Sequence, residues 1–244
     1  MEVHAHTHTA RKKWTHYFWE FLMLFLAVFC GFLAEYQLEH KIEKDREKQY
    51  MKSMVEDLKT DTVMLSRNIK LRQEKIMMID SLVTLLGSAE VNERGNDIYY
   101  FGRSISPPTN VFPNDGTIQQ LKSSGNLRLI RNSTISNGIM AYDQKMRNVL
   151  FEMGDEVEIR AEYRILARKI FKTNVFHEMI ATDKISIPQN NPALYSKDEE
   201  LLNEFIGALQ YFKRVHQAQL ILSGQLLIQA QTLLKNIIEE YHLK

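Results

Sequence analysis

The chain has 244 residues, a formal net charge of +1 and a single cysteine, Cys30. Because its acidic and basic residues are interleaved and almost balanced, the sequence has no basic patch of the kind that binds nucleic acid. A single cysteine excludes an internal disulfide and a zinc site built from several thiolates.

Residues 1–16 form a short tail that is rich in histidine and lysine. His4, His6 and His8 alternate along it, and neutral imidazoles are good ligands for zinc, nickel and copper. A flexible tail loses conformational entropy when it wraps an ion, and nothing in the sequence supplies a scaffold for it. These histidines are therefore weak candidate metal ligands, and we expect a disordered tail and no cofactor.

Residues 17–38 are apolar except for two glutamates near the ends, Glu20 and Glu35. A helix that crosses the hydrocarbon core of a bilayer needs roughly 20 residues, so this stretch predicts a transmembrane signal anchor. A cleaved signal peptide is the alternative, but no cleavage site with small residues at the required positions follows. Acidic residues within a span are costly, so Glu20 and Glu35 are expected near the headgroups, and Glu20 is also a candidate titrating group.

Two further features of this stretch concern assembly and orientation. Ala27 and Gly31, with Ala34 nearby, form a small-x-x-x-small pattern that permits close packing of membrane helices. Basic residues flank the span on both sides, but those of the tail are concentrated, and long domains translocate largely regardless of charge. We expect the tail in the cytoplasm and the large domain in the periplasm, with the span in the inner membrane.

Residues 39–50 are strongly charged and predict a helical stalk, and residues 51–244 predict a helical bundle domain. At the start of this domain, residues recur at alternating spacings of four and three, which predicts a heptad seam facing other helices. The seam consists of Met51, Val55, Leu58, Thr62, Leu65, Ile69, Arg72, Ile76, Ile79, Val83 and Leu86. Thr62 and Arg72 are interpreted as polar inclusions in it.

Shorter helices are predicted at residues 97–105 and 117–124, the second beginning with a capping box formed by Thr117 and Gln120. Long helices are predicted at residues 133–171 and 197–241, where apolar residues recur at helical spacing. No stretch alternates in the manner of a strand. The fold class is therefore predicted to be all-α, with an antiparallel bundle of about three long helices plus short ones.

Two segments resemble a group of uncharacterised single-span membrane proteins of Bacteroidota. The first is EFLMLFLAVFCGFLAE followed by REKQYMKSMVEDLKTD, and the second is TIQQLKSSGNLRLIRNSTISNGIMAYDQ. The resemblance implies a membrane anchor, a helical domain and a location in the bacterial envelope. It implies no chemical activity.

No motif for a hydrolase, a nucleotide or a zinc protease is present, so the sequence favours a non-enzymatic protein. The leading hypothesis is a membrane-anchored interaction or scaffold protein that binds the lipid bilayer and either itself or another envelope protein. One alternative is an accessory subunit of an ion-coupled or transport assembly in which Glu20 titrates. Another is a ligand-sensing bundle with a pocket near Tyr99, Tyr100 and Arg131.

Overall fold

The computed structural model describes residues 14–180 and 184–243, and the described residues contain helices and no strand. The all-α prediction is confirmed. The helices are α1 (Trp14–Leu86), α2 (Gly95–Ile105), α3 (Gly116–Ser123), α4 (Ser133–Ile170), α5 (Thr173–Glu178) and α6 (Glu199–Tyr241), with 3₁₀ turns at Ala89–Asn92 and Asn126–Leu129. Three of these helices are long, as predicted.

Contacts divide the chain into two compact units, with the division between Gln49 and Tyr50, inside α1. In the first unit, the helix is long and apolar enough to cross a membrane, and none of its most apolar stretch is buried within the protein. Its large apolar side chains are exposed, and three of them, Phe21, Phe25 and Phe29, stack on one another along one side. A core helix of a soluble domain would bury such side chains.

In the second unit, α1 and α4 run in the same direction. Asp61 of α1 accepts a hydrogen bond from Tyr142 of α4. About three turns later in α1, Arg72 contacts Glu156, which also lies later in α4 than Tyr142. Residue numbers therefore increase in the same direction along both helices. The long segment between α1 and α4 must therefore return along the bundle before α4 begins.

The returning segment, residues 87–132, supplies the missing antiparallel element. Along it, the contacts with α1 descend in order: Thr109 meets Arg72, Asn114 meets Asp61, and Asn126 meets Tyr50. The segment thus contributes α2, an irregular stretch and α3 in place of one continuous helix. Pro107 and Pro108 follow α2, where their missing N–H groups and fixed backbone angles stop the helix.

The last long helix, α6, runs against both α1 and α4. Its Lys213 and His216 contact Asp80 and Arg72 of α1, so the positions rise in one helix as they fall in the other. The second unit is therefore an up-down-up-down bundle whose second element is broken. The predicted antiparallel bundle is confirmed, with the parallel α1 and α4 joined through the broken element.

Burial in α1 differs from the predicted heptad seam at the alternate positions from Thr62 onward. Asp61, Asn68, Lys75 and Leu82 are buried, whereas the predicted seam residues one position later, Thr62, Ile69, Ile76 and Val83, are only partly buried. The remaining predicted positions, including Leu65, Arg72 and Ile79, are buried. Asp61, Asn68 and Lys75 are the more deeply buried because their side chains find partners in the returning segment or in α4. Leu82 is apolar and belongs to the core.

Helix termini are set by local capping groups. The Asn132 side chain accepts hydrogen bonds from the N–H groups of Thr134 and Ile135 at the start of α4. Gly125 adopts a left-handed conformation, φ 67°, just after α3. The predicted capping box at Thr117 was wrong, since α3 begins at Gly116 and its Thr117 N–H donates to Asp57 of α1.

Candidate functional site

The apolar core of the second unit is divided into two clusters. The first cluster contains Leu58 and Leu65 of α1 with Val149 of α4 and Leu226 of α6. The second cluster begins about four turns after Leu65, with Ile79 of α1. Between them lies what we call the polar layer, whose members are buried or nearly so: Asn68, Arg72, Lys75, Thr109, Glu156, Arg160, His216, Gln219 and Ser223.

Arg72 is the centre of the polar layer, and its side chain is 0% exposed. Its Nη1 donates to Glu156 Oε2 at 2.8 Å and lies 3.1 Å from His216 Nδ1. Its Nε donates to Asn68 Oδ1 at 2.9 Å, and its Nη2 donates to the Thr109 carbonyl oxygen at 2.9 Å. One guanidinium therefore joins α1 to α4, α6 and the returning segment, which matches the fixed fork of five N–H donors in arginine.

Glu156 is the one carboxylate that the described residues place in the polar layer. Its Oε2 receives the Arg72 bond, and its Oε1 accepts from Arg160 at 3.0 Å and from the Thr109 N–H at 3.5 Å. Lys75 stands beside this pair and donates to the Pro107 carbonyl oxygen. The buried cations of the polar layer thus outnumber the buried carboxylates within the part of the chain that the structure describes.

This excess of positive charge shapes the protonation of its neighbours. Burial lowers the pKa of His216 from 6.5 to about 3, assisted by the charges of Lys75, Arg72 and Arg160. His216 is therefore neutral at pH 7, and its Nδ1 accepts from Arg72, which places the ring proton on Nε2. Burial likewise lowers the pKa of Lys75 from 10.5 to about 8; the Glu156 charge opposes this shift and three neighbouring arginines reinforce it.

Several atoms of the polar layer have no protein hydrogen-bond partner. They are Thr109 Oγ1, His216 Nε2, Gln219 Oε1 and Ser223 Oγ. A buried polar atom without a partner is costly, so ordered water would be the ordinary way to satisfy these four. No group of three or more metal-ligating side chains occurs among residues 14–180 and 184–243. The polar layer therefore favours a structural role that fixes helix register over a metal centre.

A second buried polar contact joins α1 to the returning segment and α4. Tyr142 donates to Asp61 Oδ2 at 2.6 Å, and the Asn114 N–H donates to Asp61 Oδ1 at 2.9 Å. Burial and the nearby carboxylate raise the pKa of Tyr142 far above its ordinary value, so its hydroxyl stays protonated and remains a donor. These bonds place the irregular part of the returning segment against α1.

The residues singled out in the span do not converge on a site within the first unit. Glu20 and Glu35 are exposed on α1, and Glu20 lies 3.4 Å from His16 one turn earlier. Ala27, Gly31 and Ala34 are exposed on the same helix, and a Cβ added at Gly31 would meet nothing within 4 Å. His4, His6 and His8 lie outside the described residues. The roles assigned to all of these residues stay predictions.

The structure places Tyr99 and Arg131, which were predicted to lie near one pocket, in different parts of the bundle. Tyr99 is fully buried in the second cluster, where its ring packs edge-on against Phe171. Arg131 is exposed and follows Ile130, which belongs to the first cluster. The two clusters lie on opposite sides of the polar layer, so Tyr99 and Arg131 are not neighbours in the bundle.

Sequence reasoning missed Glu156, His216 and Lys75. Each stands on the face of its helix that carries buried apolar residues, at helical spacing from Val149, Phe212 or Ile79. That placement could have predicted a buried polar contact, because a charged residue on the apolar face of a helix is costly to bury unless it has a partner. The apolar neighbours Val157 and Ile76 hid it, since they extend the apolar pattern by one residue.

The fold defines an all-α bundle that follows a helix able to span a membrane. Comparison with protein-family models, with curated proteins and with solved structures finds no match to this chain.

Proposed function

We propose that this protein is a non-enzymatic interaction protein of the bacterial envelope, anchored in the inner membrane by the first part of α1. The single observation that supports it most is an apolar stretch, exposed throughout, in the same continuous helix that enters the bundle. Exposed apolar surface of this extent is stable in lipid and unfavourable in water.

Aromatic residues at the ends of the stretch support the same assignment. Trp14, Tyr17 and Trp19 stand near its beginning and Tyr36 near its end, and all four are exposed. Tryptophan and tyrosine prefer the membrane–water interface, where an apolar ring and a polar group are both accommodated. Their spacing along the helix corresponds to a hydrocarbon thickness of about 30 Å.

The partner-binding part of the proposal is supported by α4. Leu150, Phe151, Val157 and Ile165 are exposed by 36%, 83%, 56% and 45%, and helical spacing places them on one side of the helix. Single exposed apolar residues are ordinary, but several on one side of a helix are typical of a contact surface. We call these four residues the α4 stripe, and its proposed occupant is a second copy or another envelope protein.

Alkaline carbonate extraction of membranes tests the anchor. Integral insertion predicts that the intact chain stays in the membrane pellet and that its amino terminus precedes the apolar stretch. Release of the intact chain, or a mature protein that starts beyond Ala34, would contradict the proposal.

Cysteine crosslinking in native membranes tests the partner. Since Cys30 is the only cysteine, a Cys30→Ala background allows single cysteines at Val157 on the α4 stripe and at Glu239 on an exposed face of α6. We expect specific crosslinked species for V157C and none for E239C, with mass spectrometry distinguishing a dimer from a complex with another protein. Equal crosslinking of both variants, or of neither, would contradict the assignment of the α4 stripe.

The same E239C variant tests the orientation. A membrane-impermeant maleimide added to cells with a permeabilised outer membrane should label E239C if the bundle is periplasmic. Labelling only after the inner membrane is disrupted would place the bundle in the cytoplasm.

A further inference from the structure

A cleft of about 430 Å³ lies where the end of α2 meets α4 and α5. Three arginines line it: Arg103 from α2, and Arg164 and Arg168 from successive turns of α4. Ser106, Thr173 and Phe176 also line the cleft. We call this set of six residues the arginine cleft.

Arg164 is held in place by the end of α2. Its Nε donates to Ser106 Oγ at 3.1 Å and its Nη2 donates to the Ser106 carbonyl oxygen at 2.9 Å. These two bonds use one edge of the guanidinium and leave the Nη1 group without an acceptor among the residues that the structure describes. A guanidinium fixed in this way is preorganised, so little conformational entropy is lost when it binds an oxyanion.

Arg103, from α2, lines the same cleft. Its guanidinium lies over the ring of Phe176, 5.6 Å from the ring centre, which orients it by a cation–π contact. Its Nε is buried and has no hydrogen-bond partner in the protein. A buried donor without an acceptor calls for an external oxygen, from water or from a bound anion.

The charge of the arginine cleft is not neutralised by the residues that the structure describes. None of their carboxylates forms an ion pair with Arg103, Arg164 or Arg168, and the nearby Glu156 is already shared by Arg72 and Arg160. The positive charge of Arg164 also acts on the neighbouring polar layer, where it helps to lower the pKa of Lys75. Cations that line one cleft and have no counterion among residues 14–180 and 184–243 repel one another, and an anion in the cleft would relieve that repulsion.

We propose that the arginine cleft binds a small phosphomonoester, with the phosphate among the three guanidinium groups and an apolar or aromatic part against Phe176. A dianion fits three arginines that have no ion pair within the described residues better than a single carboxylate does, and planar guanidinium groups bind phosphate oxygens in pairs. The cleft volume lies within the range of small-molecule sites. A soluble phosphorylated metabolite and the headgroup of a phosphatidate lipid present the same chemistry. The site does not depend on the proposed membrane anchoring or on the α4 stripe.

Calorimetric titration of the full chain in non-ionic detergent tests this assignment. The soluble probes are phenyl phosphate and, for comparison, benzoate, a monoanion with the same ring. The lipid probe is dihexanoyl phosphatidate. We expect a phosphate probe to bind at least tenfold more tightly than benzoate; preference for phenyl phosphate indicates a soluble ligand, and tenfold preference for phosphatidate indicates a lipid headgroup.

Arg168→Gln should weaken binding of the preferred phosphate probe by about tenfold or more, the effect of losing one charge-assisted contact. Lys169→Gln is the matched control, because it removes the same charge from the next, exposed residue of α4, outside the cleft lining. Both variants alter exposed side chains, so both should fold. The proposal is overturned if no phosphate probe binds, if benzoate binds equally well, or if the two variants weaken binding to the same extent.

Discussion

Arg72 and Glu156 form a 2.8 Å ion pair at the centre of the bundle, with side chains 0% and 2% exposed. They lie 84 positions apart in the chain and join two helices that run in the same direction. Charges buried to this degree lose their hydration, so the pair persists only because other bonds satisfy the remaining donors and acceptors. Asn68, Thr109 and Arg160 supply those bonds.

Glu156→Leu should lower the free energy of unfolding by about 3–5 kcal/mol, because it leaves the Arg72 cation buried without a counterion. The double substitution Arg72→Met with Glu156→Leu should recover much of that loss, since two apolar side chains of similar volume need no ion partner. Chemical unfolding of the full chain in detergent, followed by circular dichroism, measures both.

The exposed pair Lys235–Glu239 on α6, 3.8 Å apart, is the control for this comparison. Glu239→Gln should leave stability unchanged within error, because exposed ion pairs contribute little. A double variant as unstable as Glu156→Leu alone would show that the polar layer stabilises the bundle beyond its charge pairing.

His216 should make the protein sensitive to mild acid. Its folded-state pKa, about 3, lies below the ordinary value of 6.5, so the unfolded chain binds a proton that the folded chain does not. Stability due to this group is complete above about pH 6.5 and decreases as the pH falls toward 3, by up to about 1.4 kcal/mol per pH unit.

His216→Asn should reduce that decrease, since an amide oxygen can take the place of the Nδ1 acceptor without titrating. Unfolding measured at intervals between pH 6.5 and 4.5 gives the slope for both proteins. His177→Asn, at an exposed position, is the control. Identical slopes for His216→Asn and the unaltered protein would rule out a buried, neutral His216.

Lys75 should make the stability of the fold depend on pH in the alkaline range. Its folded-state pKa is about 8, below the ordinary 10.5, so between these values the unfolded chain holds a proton that the folded chain has lost. Stability therefore rises with pH from about 8 to 10.5, by up to about 1.4 kcal/mol per pH unit. Lys75→Met should flatten this rise, whereas Lys70→Met, at an exposed position of α1, should retain it.

Two glycines of the bundle should respond to alanine in opposite ways. A Cβ at Gly95 would overlap the carbonyl oxygen of Pro192 and stand 3.0 Å from its carbonyl carbon, so Gly95→Ala must displace backbone and lower the melting temperature. Gly154, inside α4, has nothing within 4 Å of such a Cβ. Gly154→Ala should raise stability by about 0.5–1 kcal/mol, the helix preference of alanine over glycine. A thermal melt of each variant checks both signs.

Helix existence could be predicted from the sequence because it depends on local properties. Apolar spacing predicted the three long helices, and the proline pair after α2 and Gly125 after α3 marked the ends of the short ones. The apolar stretch at residues 17–38 was equally visible, since its length and composition do not depend on the rest of the chain.

The polar layer was decided by tertiary structure alone. Asn68, Arg72 and Lys75 are buried because carbonyl oxygens of the returning segment, at Thr109, Asn110 and Pro107, lie within hydrogen-bonding reach. Those partners are 32 to 42 positions away along the chain, so a local sequence pattern cannot predict these contacts. An apolar side chain is stabilised wherever water is excluded, but a buried charge needs a partner at a suitable distance, and only the assembled bundle determines where that partner lies.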